Sequence, residues 1–531
     1  MCTRLRIGLI ALFGILVPSI ASAQWRLPPD KLPLTQLPPA KLIPNLCVLK
    51  YRISTNSPEC QAFFDQGLGY FYSYVWMEAA RSFETALRHD PNCAMAWWGL
   101  SRAQERWGKG GDYAQSAKIA HELLDRASHR EQQLIIARLQ EKGLLEGVGD
   151  SEKRKQAAIA TIDNLLALYD DDEEGWYFRA QLSGGAGLFG GEVGAVPYYK
   201  ALLRINPLHP GANHELVHFY ERYSRPALGW EYSEKYIASS PGIPHPWHMQ
   251  SHLATRLGRW DKSSNSSTRA CELERAYHKE MNVKPADDYQ FSHHLEVLML
   301  SLTHDGRFHE AHALKNECNG YGFHHWEPWF RLHVAERNFT AALKIADERR
   351  KADKTLAAYM SALVYLAQGD VCQAEPYVEV LEEAYKGRKS DRTLRLRLWE
   401  TRGVLLCATG AADAGLKLLA KVVDETKNDY HFHAWGNGAY YMEVWGVAAL
   451  HSGKLDVAEE AFLEALAHDS GSVRGAIGLQ LLCEQQGRYD EAKRYADMAH
   501  RYWKHAKATA FEAECTAIRD LNRQEAAGNR Q

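Results

Sequence analysis

Residues 453–492 read GKLDVAEEAFLEALAHDSGSVRGAIGLQLLCEQQGRYDEA, and this stretch decides the fold. Gly453 and Gly487 lie 34 residues apart, and the same interval separates Ala458 from Ala492. Each glycine is followed by a basic residue and a large apolar or aromatic one, as expected where one helix ends and the next begins. A turn that recurs at a fixed interval predicts repeated helical hairpins, each of which buries its apolar face against its neighbours.

The same turn recurs upstream, so the repeats extend over most of the chain. It is found at Gly258-Arg259-Trp260, Gly306-Arg307-Phe308 and Gly369-Asp370. A period of 34 residues is that of the tetratricopeptide repeat (TPR), a helix, a turn and a second helix. We therefore predict an all-α, TPR-like helical-hairpin solenoid with a right-handed superhelix, divided into N-terminal repeats at 58–320 and C-terminal repeats at 321–520.

Composition is that of a large, helix-rich chain without a strong charge bias. Its 531 residues are 46% hydrophobic and 24% charged, and the formal net charge is -3. This balance, without a basic-aromatic pattern, argues against nucleic acid as a partner. No apolar segment beyond the N-terminus is long enough to cross a bilayer, so we expect no transmembrane segment in the mature chain.

The N-terminus has the features of a cleavable export signal. Arg4 and Arg6 precede an apolar run at 7–17, and Ala21-Ser22-Ala23 forms a small-residue cleavage site. We therefore expect a signal peptide at 1–23 and a periplasmic or secreted protein. The proline-rich segment 24–57 is predicted to be an extended arm, and 521–531 a flexible tail.

Two histidine pairs occupy the same phase of consecutive repeats. His214 and His218 lie 34 residues before His248 and His252, respectively. Each pair places its imidazoles one helical turn apart on one face, and positions one period apart become neighbours in the solenoid. A third helix carries His293 and Glu296 at a spacing of three residues.

Neutral imidazole binds copper, zinc or iron, and a carboxylate can complete such a site. We therefore predict a metal site on the concave surface formed by His214, His218, His248, His252, His293 and Glu296. One alternative is a hydrogen-bonded network that is structural or contacts a partner. A second is a zinc peptidase, because His214-Glu215-Leu216-Val217-His218 has the HExxH spacing in which Glu215 would be the general base. Glu231 or Glu234 would then be candidates for the third ligand.

These motifs resemble those of a group of exported bacterial TPR proteins with HPGAxHxxxH, HMPSH and HNxH stretches. The corresponding residues here are His209-Pro210-Gly211-Ala212-Asn213-His214 with His218, then His245 and His248-Met249-Gln250-Ser251-His252, then Tyr289 and His293-His294-Leu295-Glu296. The resemblance covers about residues 60–315 and implies the repeat fold and export.

The chain departs from the family pattern at several of these positions. Glu215 replaces an aromatic or aliphatic residue, which argues that the HExxH spacing is incidental. Glu296 replaces a histidine and His294 an asparagine, Trp76 stands where a histidine is common, and Gln250 replaces a proline. If the family site binds metal, its ligand set is changed in this chain.

Two further segments complete the sequence predictions. The glycine-dense stretch 184–194 lacks the ending of a phosphate-binding loop and is expected to be an irregular connection. Of the ten cysteines, Cys2 would leave with the signal, and Cys47 and Cys60 are close enough in sequence to form a disulfide.

The sequence leads to two functional hypotheses. The first is a metal-dependent enzyme or a metal carrier. The second is a non-catalytic scaffold that binds a peptide or protein partner in the concave groove.

Overall fold

The computed structural model describes residues 31–145, 147, 149–184, 193–429 and 437–519. The predicted signal peptide, the predicted tail and most of the glycine-dense segment lie outside these residues. Among the residues described, no helix combines the length and the apolar character needed to cross a membrane.

The predicted all-α class and hairpin solenoid are confirmed: successive helices pack against one another along the described chain. The N-terminal helices are α1 (Pro58–Tyr72), α2 (Trp76–His89), α3 (Ala94–Trp107), α4 (Tyr113–Glu122), α5 (His129–Lys142), α6 (Ser151–Leu168), α7 (Glu173–Ser183), α8 (Val196–Ile205), α9 (Pro210–Arg222), α10 (Pro226–Ser239), α11 (Pro244–Arg256) and α12 (Trp260–Met281).

The remaining helices continue this order to the end of the described chain. They are α13 (Phe291–His304), α14 (Phe308–Tyr321), α15 (Trp326–Ala335), α16 (Phe339–Arg349), α17 (Lys354–Ala367), α18 (Val371–Gly387), α19 (Arg392–Ala408), α20 (Ala412–Thr426), α21 (Tyr440–His451), α22 (Leu455–His468), α23 (Val473–Gln485), α24 (Tyr489–Tyr502) and α25 (Ala508–Arg519). Short 3-10 turns occur at Leu124–Arg126, Val193–Ala195 and Pro285–Asp287.

The repeated glycines end the first helix of their hairpins. Gly453 and Gly487 have φ of 68° and 74°, a left-handed conformation that costs a glycine little because it has no Cβ. The upstream turn glycines, Gly258, Gly306 and Gly369, also have positive φ. The sequence signature therefore marks real hairpin turns.

A phenylalanine wedged between glycines fixes how neighbouring hairpins stack. The ring of Phe462 on α22 lies against Gly446 on α21 and Gly478 on α23, and a Cβ added at Gly446 would lie 2.5 Å from that ring. The first repeats use the same device, since a Cβ at Gly67 would lie 2.6 Å from the ring of Phe83. Only glycine allows the helices to approach this closely over the ring.

The described part of the proline-rich segment forms no helix, has turns at 33–35 and 44–45, and contacts the first hairpin. Because it forms no helix, its backbone N–H groups need other partners, and buried side chains accept from them. Leu34 and Thr35 donate to the carboxylate of Glu84 at 2.6 and 2.8 Å, and Ile43 donates to the Gln66 side-chain oxygen at 2.9 Å.

The C-terminal repeats close back onto the middle of the chain. The Trp260 indole N–H donates to the Asp469 carboxylate at 3.0 Å, and the Ser470 hydroxyl donates to the Leu257 carbonyl at 2.6 Å. Farther along, the Trp503 indole donates to the His304 carbonyl at 2.9 Å. The superhelix from α12 to α24 is therefore a closed turn rather than an open arc.

Candidate metal centre

Three neighbouring helices carry the histidines. Pro210 occupies the first turn of α9, where its missing N–H is not needed, and the side chain of the preceding His209 accepts from the Ala212 N–H at 3.1 Å. α11 also has a proline, Pro244, in its first turn, and it packs against both α9 and α13. A small apolar group, Val217, Tyr236, Met249 and Leu253, forms a core of its own in this region.

The histidines form two clusters of three, which we call cluster 1 and cluster 2. Cluster 1 consists of His214, His218 and His245, and cluster 2 of His248, His252 and His293. Within each cluster one potential ligand atom per residue lies within 4.8 Å of the others. The sequence predicted one shared patch, whereas α11 lies between α9 and α13 and contributes to both clusters.

His245 completes cluster 1, and it was absent from the predicted ligand set. Its Nε2 lies 3.0 Å from Nε2 of His214, and it is buried. His245 is out of phase with the repeated pairs, but it precedes His248 by three residues, a spacing that places both on one helix face. This spacing was the sequence feature from which His245 could have been predicted.

Backbone contacts orient cluster 1. Nδ1 of His214 lies 2.7 Å from the carbonyl oxygen of Tyr72. A carbonyl only accepts, so Nδ1 carries the proton and Nε2 of the neutral ring presents its lone pair toward His245. Nδ1 of His245 is buried without a hydrogen-bond partner among the described residues.

A buried carboxylate orients cluster 2. Glu221 on α9 lies 3.3 Å from Nδ1 of His252 and 3.2 Å from Nε of Arg256. Burial alone would raise the pKa of Glu221, but His252 and Arg256 lower it to about 2, so this residue is a carboxylate. Such a contact directs Nδ1–H of His252 toward Glu221 and leaves Nε2 for a ligand role.

Glu296 lies beside cluster 2 rather than among its ligand atoms. Its carboxylate is 3.7 Å from Nδ1 of His293, one helical turn away. His294, which follows His293, is buried, with its ring centroid 3.9 Å from that of His248 and its Nδ1 2.8 Å from the Glu274 carboxylate. Glu296 and Glu274 thus occupy positions from which they can orient imidazoles.

Burial keeps four of the six cluster imidazoles neutral. Burial lowers the pKa of His218 to about 4, and burial with neighbouring histidines lowers the pKa of His214, His245 and His248 well below the usual value. A neutral imidazole has the free lone pair that a metal requires. Nδ1 of His248 is also buried without a hydrogen-bond partner in the described chain.

Glu215, the candidate general base, is instead engaged in hydrogen bonds with two phenols. Its Oε1 accepts from the hydroxyls of Tyr74 and Tyr177 at 2.9 and 3.1 Å. Glu231 and Glu234, the candidate third ligands, lie on α10 and contact Lys235 and Trp230 at 2.6 and 2.8 Å. The HExxH spacing is therefore not accompanied by the arrangement of a metallopeptidase.

An aromatic rim adjoins cluster 1. The ring of Tyr74 lies 4.4 Å from that of His214, and Trp76 lies 5.3 Å from Tyr74. Tyr289 stacks on Trp76 at 6.4 Å and is 60% exposed. Trp76, which departs from the family pattern, thus belongs to the rim rather than to the ligand set.

The described cysteines are all free thiols, so the Cys47–Cys60 bridge considered from the sequence is not formed. Cys47 contacts the Ser240 hydroxyl at 3.4 Å. Cys60 instead lies with Cys93 and Asp90, one ligand atom of each within 4.8 Å of the others.

Comparison with a protein family model supports the repeat architecture. A tetratricopeptide repeat family model matches residues 64–131 and 444–506. No curated protein matches the chain. Among solved structures, yeast Tom70 is similar at 15% identity and a TM-score of 0.30, covering 88% of this chain and 96% of Tom70. The human IFIT1 dimer with PPP-AAAA is similar at 13% identity and a TM-score of 0.26, covering 82% and 88%.

Proposed function

We propose that this repeat protein binds two transition-metal ions, one in cluster 1 and one in cluster 2. The observation that carries the proposal is the grouping of six histidines into two triplets, with Nδ1 of His214 and of His252 facing fixed oxygen acceptors. Imidazole-only ligand sets suit zinc, copper or iron, whereas magnesium and calcium prefer oxygen ligands.

Three protein ligands per ion leave a coordination position open to water or a small ligand. An ion bound in this way would supply Lewis-acid or, for copper and iron, redox chemistry. Around it, Tyr72 and Glu221 fix the imidazole orientations, and the rim of Tyr74, Trp76 and Tyr289 borders the approach to cluster 1. Because Glu215 is occupied by two phenols, peptide hydrolysis is not part of the proposal. Export, based on the signal at 1–23, remains part of it.

Metal titration with one variant per cluster tests the proposal. Untagged protein is stripped with a chelator and titrated with Zn²⁺ and, separately, Cu²⁺ by calorimetry. The wild type should bind two ions, and His245→Ala and His293→Ala should each bind one, because each change leaves the other cluster complete. His309→Ala, which alters an exposed histidine, is the control and should bind two.

The competing function is a scaffold whose histidine face contacts a peptide or protein partner. It is favoured if the wild type binds neither Zn²⁺ nor Cu²⁺. It is also favoured if neither His245→Ala nor His293→Ala changes the number of metal ions bound. Circular dichroism of each variant establishes that the helices persist.

A further inference from the structure

The closed turn of the C-terminal repeats surrounds a second site, separate from the histidine clusters. A cavity of about 260 Å³ lies at its centre, lined mainly by α15, α17, α19, α21 and α23. The lining helices are the first helices of successive hairpins, which face the inside of the superhelix. The contacts of Trp260 with Asp469 and of Trp503 with the His304 carbonyl close this turn around the cavity, which we call the chamber.

Much of the chamber wall is apolar. Phe330, Met360, Leu363 and Val444 line it, together with other aliphatic side chains. A wall of this kind favours a hydrocarbon ligand because its occupancy removes apolar surface from water.

The carboxylates at the wall already have partners. Glu514 lies 2.7 Å from Nε of Arg474, and Glu400 accepts from the hydroxyls of Tyr359 and Tyr440 at 2.7 Å each. Burial raises the pKa of Glu400 to about 7, so this group is partly neutral at physiological pH. The other two wall carboxylates are also engaged: Glu327 with Arg397, and Glu443 with the Ser472 hydroxyl.

One cation of the wall, Arg331, has no carboxylate partner within 4.0 Å among the described residues. Its guanidinium instead lies over the ring of Tyr440, 4.9 Å from the centroid. The carboxylates of Glu327, Glu400 and Glu443 act on this guanidinium only from beyond 4.0 Å. A ligand carboxylate in contact with it would add a charge-assisted, bidentate pair, which is among the stronger polar contacts in proteins.

We propose that this chamber binds a small amphipathic carboxylate, with its head group on Arg331 and its hydrocarbon chain against the apolar wall. The volume is just below the range of about 300–1,000 Å³ typical of ligand pockets, which suits a compact ligand. The site shares no residue with clusters 1 and 2, so it does not depend on metal binding.

Three probes with the same hydrocarbon chain test the head-group requirement: octanoate, 1-octanol and octylamine. Binding to the full chain is measured by calorimetry and by tryptophan fluorescence, because Trp503 lines the chamber. Octanoate should bind about tenfold or more tightly than 1-octanol, and octylamine should bind most weakly. Arg331→Met keeps an apolar stem of similar length and should abolish the preference for octanoate, whereas Arg331→Lys should retain it.

Arg402→Met is the matched control, since Arg402 lies outside the chamber and its Nε is 3.5 Å from Glu382 at the surface. It should bind octanoate like the wild type. The proposal is overturned if octanoate does not bind, if 1-octanol binds as tightly, or if folded Arg331→Met retains the preference. Should Arg331→Met not fold, the ratio of octanoate to 1-octanol affinity in the wild type decides alone.

Discussion

The closure of the superhelix predicts an unusual pH dependence centred on Asp469. This side chain is fully buried and accepts from the Trp260 indole at 3.0 and 3.1 Å and from the Gly471 N–H at 3.0 Å. Burial, with the nearby Glu443 carboxylate, raises its pKa from 3.8 to about 7. The folded state therefore binds this proton more tightly than the unfolded state does.

The sign and size follow from linkage. A raised acid pKa stabilises the fold fully below pH 3.8, and this contribution is lost as the pH rises through the window to about 7. At about 1.4 kcal/mol per unit, a shift of roughly three units gives roughly 4 kcal/mol. Asp469→Asn cannot ionise, but it weakens two hydrogen bonds worth about 1 kcal/mol each. The net gain at pH 8 is then about 2 kcal/mol.

The assay is urea unfolding of the wild type and Asp469→Asn at pH 8 and pH 4.5, monitored by tryptophan fluorescence. The variant should be more stable than the wild type at pH 8, and this advantage should vanish or reverse at pH 4.5. Asp413→Asn is the control, because the Asp413 side chain is 89% exposed beside Lys454, and its effect should be close to zero at both pH values. An Asp469→Asn variant that is less stable at pH 8, or whose effect is independent of pH, would refute the reasoning.

Two further substitutions test packing and the role of the HExxH glutamate. Gly446→Ala should destabilise the C-terminal repeats by about 1–3 kcal/mol in thermal melts, because its Cβ would lie 2.5 Å from the Phe462 ring. In Gly320→Ala the added Cβ meets no atom within 4 Å, so this control should be neutral or slightly stabilising. Equal losses of stability in the two variants would contradict the tight packing of Phe462 against Gly446. Glu215→Gln should leave the metal content unchanged while lowering stability by about 1–2 kcal/mol, since it weakens the acceptor for two buried phenols. A change in metal content would assign Glu215 a role in metal binding.

The fold was predictable because its signals are local. The turn glycines and the 34-residue period identify the hairpins, and Pro210 opens α9 as its position in sequence suggests. The closure was not predictable, because Trp260 and Asp469 are far apart in sequence and meet only through the accumulated curvature of the intervening repeats.

Most of the histidines of the candidate site could be predicted from the sequence, but their division into two clusters could not. The repeat phase of His214, His218, His248 and His252 placed them on neighbouring helices. Their division into two clusters depends on how α11 packs between α9 and α13, which periodicity does not encode. His245 escaped prediction because it breaks the phase.

The central claim is that clusters 1 and 2 each hold a metal ion, and anomalous X-ray diffraction from crystals of the zinc-loaded protein tests it most directly. Data collected on both sides of the zinc absorption edge should give two peaks, one bounded by His214, His218 and His245 and the other by His248, His252 and His293. Each peak should lie about 2.0–2.1 Å from three imidazole nitrogens. Zinc found only elsewhere, for example at Cys60 and Cys93, or no anomalous signal at either histidine cluster, would contradict the account.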